Sequence, residues 1–253
     1  MRRRLLIAAN WKMHAAPASA LLDANGDRSR NPYHPHADLD MVIFPTFLDI
    51  DECVQKGLIV GGQWGRTESS GAFTGDISMA QLKAHGCHYV LCGHSERRRY
   101  HNESDSLVAE QACAALGAGL HPIVCIGEST QQREQKKEKT TVKKQLSSIL
   151  PLLQSTGKEI TIAYERVWAI GTGKTATPDD AEAMHTYIRS LLPASCRHTL
   201  RLLYGGSVKP ENAFELLSQE NVDGLLIGGA SLDPSAFARI VAAAEEVLEQ
   251  PRK

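Results

Sequence analysis

Eight short runs of apolar residues, separated mostly by helix-like stretches, constrain the fold of this chain more than any other feature. The runs are nearly continuous rather than alternating, as in parallel strands that are buried on both faces. They lie at residues 5–10, 40–44, 58–63, 88–92, 121–126, 160–165, 200–205 and 224–228. Eight strands alternating with helices in 253 residues predict an α/β fold, a (β/α)8 barrel that spans residues 1–253 as a single domain.

Helical spacing of apolar residues is clearest in residues 104–118, 178–192 and 234–248, which we interpret as helices. Residues 15–38 are rich in Pro, Gly, Asn and His, which favours a poor helix and a long loop. Residues 131–144 carry many charges at helical spacing, so we interpret them as the solvated face of a helix rather than a binding patch.

Composition excludes several classes of partner. The formal net charge of -1 gives no general attraction to nucleic acid or to an anionic membrane. The apolar run after the basic N-terminus is shorter than the ~7 residues of a secretory signal, and no run approaches the ~18 residues of a membrane span. The six cysteines show no CxxC spacing, so we expect reduced thiols in a cytoplasmic protein, without zinc or disulfides.

Polar residues follow several of the predicted strands. In such barrels the active site lies at the C-terminal ends of the strands. The residues found there are Asn10, Lys12, His94, Glu96, Glu165, the turn Gly205-Gly206-Ser207 and the pair Gly228-Gly229. Each alone has an ordinary interpretation as a surface charge, a loop histidine or a turn. Their placement on one rim of the predicted barrel indicates an active site.

Glu165 ends an apolar strand and is followed by a segment that contains Trp168, Gly171 and Gly173. A carboxylate under a loop that can swing is an arrangement suited to a general base, so we predict a lid here. The glycines do not indicate nucleotide binding, because Trp168 stands where a phosphate-binding loop needs its first glycine. The dinucleotide fingerprint also lacks its acidic residue about 20 positions later.

The residue types define a chemistry. Backbone N–H groups of the two Gly-Gly turns, with the Ser207 hydroxyl, predict a phosphate site. Lys12 supplies positive charge and helps to stabilise an enolate oxygen, His94 is placed to polarise a carbonyl, and Glu165 is the base. Together they predict proton abstraction beside the carbonyl of a small phosphorylated substrate, with a lid that excludes water and with no metal or organic cofactor needed.

The chain closely resembles the triosephosphate isomerase family over essentially its whole length. Seven blocks carry the resemblance in the family's order: residues 9–13 (ANWKM), 71–75 (GAFTG), 92–98 (CGHSERR), 125–128 (CIGE), 164–178, 204–208 (YGGSV) and 228–232 (GGASL). It implies a TIM barrel that interconverts dihydroxyacetone phosphate and glyceraldehyde 3-phosphate in glycolysis and gluconeogenesis.

The resemblance also implies residue roles. Glu165 would be the base, His94 the neutral electrophile, and Asn10 and Lys12 substrate contacts, while Glu96 would orient these groups through polar contacts. The phosphate would be held by Gly171, Ser207, Gly228 and Gly229. A homodimer is implied, in which residues 71–75 enter the partner so that Thr74 approaches its active site.

Five positions depart from the family pattern: Arg166 replaces a usual Pro, Trp64 a usual Asn, Thr46 a usual Pro, Asp76 a usual Glu and His14 a usual Asn. Without the proline the hinge beside Glu165 is expected to have more open states, so Arg166→Pro is expected to raise kcat/KM. Alternatively, Arg166 gains a salt bridge that selects one state. Trp64 is expected to pack into the dimer contact or to loosen it.

Two other functions stay open at this point. One is another phosphosugar barrel enzyme, such as an epimerase or an indole-glycerol-phosphate synthase, although those lack the residues found at these strand ends. The other is a non-catalytic or impaired barrel homologue, for which Arg166 is the reason.

Overall fold

The computed structural model describes residues 3–22, 31–155, 160–166 and 177–250. Eight strands form one parallel sheet in the order β2-β1-β8-β7-β6-β5-β4-β3, which bends into a nearly closed barrel. The strands are β1 Leu6–Asn10, β2 Asp40–Phe44, β3 Gly61–Gly62, β4 Tyr89–Cys92, β5 His121–Ile126, β6 Thr161–Tyr164, β7 Leu202–Tyr204 and β8 Gly224–Ile227. The predicted barrel is therefore confirmed.

The barrel closes between β2 and β3, and we call this junction the seam. A single bridge, Ile43 to Val60, pairs the two strands there, beside a hydrogen bond from Ile43 N to Ile59 O of 2.9 Å. The strand predicted at 58–63 shrinks to Gly61–Gly62. A side chain at Gly61 would overlap the ring of Phe44, so the glycine lets that ring fill the barrel next to the seam.

Nine α-helices are described between and after the strands. They are α1 Ile50–Gln55, α2 Met79–Ala84, α3 Ser95–Tyr100, α4 Asp105–Gly117, α5 Thr130–Glu134, α6 Glu138–Gln154, α7 Pro178–Leu191, α8 Pro210–Leu217 and α9 Pro234–Glu249. None of these helices is long and apolar enough to cross a bilayer.

Capping explains where the predicted helices begin. Ser104 accepts a hydrogen bond from Leu107 N before α4, and Thr177 accepts one from Asp180 N before α7. The charged stretch 131–144 is not one continuous helix. It is divided between α5 and α6, and Lys136 in the break has a φ of 55° that no helix continues through. Within residues 15–38 only the 3-10 turn Ala18–Leu21 is helical among the described positions.

Alternate strand residues divide the core into two layers. One cluster, inside the barrel, contains Leu6, Ala8, Val42, Phe44, Leu91, Ile123, Cys125, Ala163, Leu203 and Leu226. The intervening residues, such as Ile7 and Ile162, pack outward against the helices. This filled interior keeps the strands parallel and brings their C-terminal ends to one rim, where the polar residues lie.

Candidate active site

A cavity of about 460 Å³ opens at the C-terminal rim of the barrel. Its walls include Asn10, Lys12, His94, Glu165, Ser207, Gly228 and Gly229, which are the predicted site residues of five different strand ends. Glu96 does not line the cavity but contacts Lys12, and Gly171 lies outside the described residues. Thr74 stands apart on an exposed loop.

The Glu165 carboxylate is buried and held from one side. Ser95 donates twice, from its backbone N to Oε2 at 2.8 Å and from its hydroxyl to Oε1 at 3.0 Å. His94 Nε2 lies 3.1 Å from Oε1. Glu165 is 2% exposed, so these donors replace water as partners of the carboxylate. The residue after β6 is thereby fixed against the first turn of α3.

His94 caps the helix α3, and this fixes its tautomer. The backbone N–H of Glu96 donates to His94 Nδ1 at 3.3 Å, so Nδ1 carries a lone pair and the proton of the neutral ring is on Nε2. Nε2–H is then the donor that faces Glu165. The arrangement agrees with the prediction that a helical turn begins at Ser95, and it turns Nε2 towards Glu165.

Lys12 has an unusual backbone that Asn10 stabilises. Its φ is 53°, and the Asn10 side-chain oxygen accepts a hydrogen bond from Lys12 N at 2.9 Å. The ammonium lies 2.6 Å from Glu96 Oε1. Glu96 therefore contacts the predicted cation directly.

Gln63 is a site residue for which no role was predicted from the sequence. Its side-chain amide donates to Lys12 O at 2.6 Å and to Phe44 O at 3.0 Å, and it thus ties the end of β3 to the ends of β1 and β2 across the seam. Its role could have been suspected from the sequence, because Gln63 is a polar residue at the end of a predicted strand, where the active-site residues of such barrels lie.

Three glycines around the site allow close packing. A Cβ at Gly127 would overlap the carbonyl oxygen of Glu165, and a Cβ at Gly205 would lie 3.1 Å from Glu165 Cγ. At Gly228 it would lie 3.1 Å from Lys12 Cε. The glycine turns therefore shape the walls that hold the base and the cation, in addition to offering backbone N–H groups.

Several groups in or beside the cavity were given no role from the sequence. Ser95 was quoted only as part of a motif, and its contact with Glu165 could not be predicted because the two residues are 70 positions apart in the chain. His14 and Lys209 also line the cavity. Cys125 lies within hydrogen-bonding reach of the Glu165 carboxylate, and burial, followed by that negative charge, raises the pKa of its thiol well above the usual value.

The residues that precede and follow Glu165 belong to a buried polar cluster. The Tyr164 hydroxyl donates to Glu128 Oε2 at 2.8 Å, and Arg166 is 1% exposed. The side chain that replaces the usual proline is therefore not a surface charge. Its Nη1 lies 3.8 Å from Asp180 Oδ2, which favours the second of the two sequence interpretations, in which Arg166 gains a salt bridge.

The loop of residues 71–75 is exposed at Thr74 and is braced at its base. Arg66 stacks over the Phe73 ring at 3.6 Å and pairs with Asp76 at 2.6 Å. Trp64, near the same base, lies under the guanidinium of Arg97 at 4.5 Å. Trp64 is thus packed by a cation–π contact within the chain.

Comparison with known proteins gives one family. The model of the family described as triosephosphate isomerase matches residues 5–244. A triosephosphate isomerase of Paracidovorax citrulli is 41% identical over 251 residues, which cover 96% of this chain and 100% of the relative. Those of Xanthomonas campestris pv. campestris (strain 8004) and Thermus thermophilus are both 43% identical, covering 96% and 94% of this chain and 98% of each relative.

Proposed function

We propose that Glu165 is the catalytic base and His94 the electrophile of this chain, which belongs to the triosephosphate isomerase family. The chain is an enzyme that interconverts dihydroxyacetone phosphate and D-glyceraldehyde 3-phosphate. What remains to be assigned is the part that each residue takes. No feature of the described residues favours the non-catalytic alternative.

One observation carries the assignment of base and electrophile. The Glu165 carboxylate and His94 Nε2 face each other at 3.1 Å in the wall of a cavity that also contains the Lys12 ammonium. A base, a neutral donor and a cation are the groups needed to take a proton from a carbon beside a carbonyl and to stabilise the resulting oxygen charge.

The substrate must replace one contact of the resting site. Nε2–H of His94 is a single donor, and it points to Glu165 before substrate binds. To polarise the substrate carbonyl it must leave Glu165, which frees Oε1 to approach the C–H bond. We propose that Glu165 then removes the proton to form an enediolate and that the hydroxyl proton passes from one oxygen of this intermediate to the other. Glu165 then returns the carbon-bound proton to the neighbouring carbon.

We place the phosphate at the turns that follow β7 and β8. Ser207 provides a hydroxyl, and Gly228 and Gly229 begin the 3-10 turn Gly229–Ser231, whose first backbone N–H groups have no carbonyl partner inside the turn. Gly171 is added by the family resemblance. Lys12 packs against Gly228 and lines the same cavity as Glu165, so it is placed to contact both the phosphate and the oxygen charge.

Glu165→Gln tests the base. The general-base contribution of about 10²–10⁴-fold should be lost from kcat, measured in a coupled isomerase assay, while inhibition by inorganic phosphate stays similar. Glu215→Gln, on the exposed side of α8, removes the same charge far from the cavity and should be neutral. A Glu165→Gln enzyme that keeps more than about half of its activity refutes the assignment.

We further propose a cytoplasmic homodimer of single-domain subunits that acts in glycolysis and gluconeogenesis. The loop around Thr74 is exposed, as are the apolar side chains of Met13 (93%) and Leu48 (94%), and exposed apolar side chains of this kind support contact with a second subunit. Thr74 would approach the partner's active site. Light scattering at micromolar concentration should give the mass of a dimer, and a stable, fully active monomer would exclude it.

A further inference from the structure

Arg166 has an environment that is rare for a charged residue. It is 1% exposed and directly follows Glu165. A buried guanidinium is costly unless neighbouring groups compensate its charge. The positions of those groups therefore determine where the backbone at residue 166 can lie.

The first support of Arg166 runs through a hydroxyl to a buried carboxylate. A side-chain hydrogen bond joins Arg166 and Tyr164, and a guanidinium can only donate, so the Tyr164 oxygen accepts it. The same hydroxyl donates to Glu128 Oε2 at 2.8 Å. Glu128 has no exposed side-chain surface, and Arg133 Nη1 is 3.9 Å from its other oxygen. The order of donation is thus Arg166 to Tyr164 to Glu128.

The second support comes from a different element. Arg166 Nη1 lies 3.8 Å from Asp180 Oδ2 in the first turn of α7. Asp180 is half exposed, so this pair is weaker than the buried contact with Tyr164. Arg166 is nevertheless connected to two separate parts of the barrel, the end of β5 and the start of α7.

We propose that Arg166 is a positioning residue for Glu165, held by Tyr164, Glu128 and Asp180, and that these contacts replace the backbone constraint of the proline usual at this position. A proline would restrict φ covalently, whereas here the buried charge fixes residue 166 through its partners. Glu165, one residue earlier, is paired through its backbone N with Ile126 O at 2.7 Å. The backbone is then held on both sides of the Glu165 side chain, at its own N–H and at residue 166. The inference rests on the proposed role of Glu165 as the base.

Arg166→Met removes the charge and keeps most of the length of the side chain. A displaced base should lower kcat by about 10- to 100-fold, because misplacement of a reacting group by about 1 Å can cost this much. The inhibition constant of a phosphorylated carboxylate that mimics the enediolate should rise by a similar factor. That of inorganic phosphate should be unchanged, since its proposed site is formed by the turns after β7 and β8 and does not include Arg166. Arg166→Lys should recover part of the loss.

The matched control is Arg239→Met. Arg239 forms an exposed pair with Glu211 at 3.0 Å, so this variant loses an arginine without altering the buried cluster, and its kinetics should equal those of the original chain. Tyr164→Phe, which removes only the intermediate hydroxyl, should change the same two quantities less strongly. It also keeps the test available if Arg166→Met does not fold. In the double variant the two losses should not add.

Two results overturn the proposal. One is an Arg166→Met or Tyr164→Phe enzyme with unchanged kcat, or with inhibition by phosphate and by the enediolate mimic weakened equally. The other is an Arg166→Pro enzyme with kcat/KM equal to or above that of the original chain, since the proposal assigns the function to the contacts of Arg166. Failure of the base assignment is seen separately, as retained activity in Glu165→Gln.

Discussion

Gly127→Ala should strongly impair the enzyme although Gly127 carries no functional group. A Cβ at this position would overlap the Glu165 carbonyl oxygen and lie 2.9 Å from its carbonyl carbon and 3.3 Å from its nitrogen. These are backbone atoms, which have no rotamer to change. Ile126 O already accepts from Glu165 N at 2.7 Å, so the two strand ends cannot separate without loss of this hydrogen bond.

The magnitude follows from the required shift. An ordinary carbon–oxygen contact demands that the Glu165 backbone move by about 1 Å, and such a misplacement of a reacting group costs about 10²-fold in rate, or about 2.7 kcal/mol. Overpacking typically adds about 1–3 kcal/mol of destabilisation. We therefore expect kcat/KM to fall about 100-fold, together with a lower Tm.

Steady-state kinetics at a temperature well below the Tm separate the two effects. The control is Gly117→Ala at the end of α4, where an added Cβ meets no atom within 4 Å among the described residues and the alanine favours the helix by up to about 1 kcal/mol. It should keep full activity. A Gly127→Ala enzyme with normal kcat/KM would show that the strand ends adapt, and would refute the packing argument.

Three other expectations follow from the structure. NMR of 15N-labelled histidine should show the proton of the His94 ring on Nε2, and a proton on Nδ1 would contradict the capping geometry. Burial lowers the pKa of His185, so below about pH 6.5 the unfolded chain binds a proton that the folded chain does not. The free energy of unfolding should therefore fall with falling pH by up to about 1.4 kcal/mol per pH unit. His185→Phe should remove this contribution from the pH dependence measured in denaturant titrations between about pH 6.5 and 5, and an unchanged pH dependence would exclude it. Burial also raises the pKa of the Cys92 and Cys125 thiols, so a thiol reagent should label the exposed Cys113 first in the native protein and these two only after unfolding; rapid native labelling of either buried thiol would be inconsistent with the core.

The positions of the strands could be predicted because the strands of a parallel barrel have a simple sequence pattern. Strands covered on both faces need apolar residues throughout, and the eight runs contain the eight strands. The ends of the runs were less informative. At 58–63 the apolar pattern continues beyond the paired residues, since Leu58 and Val60 are buried by packing while only Gly61–Gly62 belong to the strand.

The site was predictable to the extent that topology determines it. Parallel strands place their C-terminal ends on one rim, so Asn10, Lys12, His94 and Glu165 had to converge. The partners of these groups were not predictable, because a contact such as Ser95 to Glu165 depends on the rotation of a helix against a strand. The lid prediction for residues 167–176 lies outside the described residues and stays a prediction.

Arg166 shows why the local sequence pattern can give a wrong prediction for the environment of a single residue. A charged residue after a strand is expected to be exposed, and a missing proline is expected to loosen the backbone. Both expectations consider the residue alone. Its burial depends on Tyr164, Glu128 and Asp180, of which Glu128 and Asp180 are brought to it only by the closed sheet and by α7. The effect of Arg166→Pro, expected to be favourable from the sequence, is expected to be unfavourable from these contacts.

The seam between β2 and β3 is one of two weakly paired boundaries of the barrel, since β7 and β8 also share a single register pair. With one bridge between β2 and β3, their amide protons should be among the first of the sheet to exchange with deuterated solvent through local opening. Gln63 spans this boundary to hold Lys12 O and Phe44 O. An opening confined to the seam would therefore release the backbone of Lys12, the proposed substrate contact, from Gln63 while the contacts of Glu165 with Ser95 stay formed. In dilute denaturant, catalytic activity should be lost in a local unfolding step at a lower denaturant concentration than the unfolding of the core.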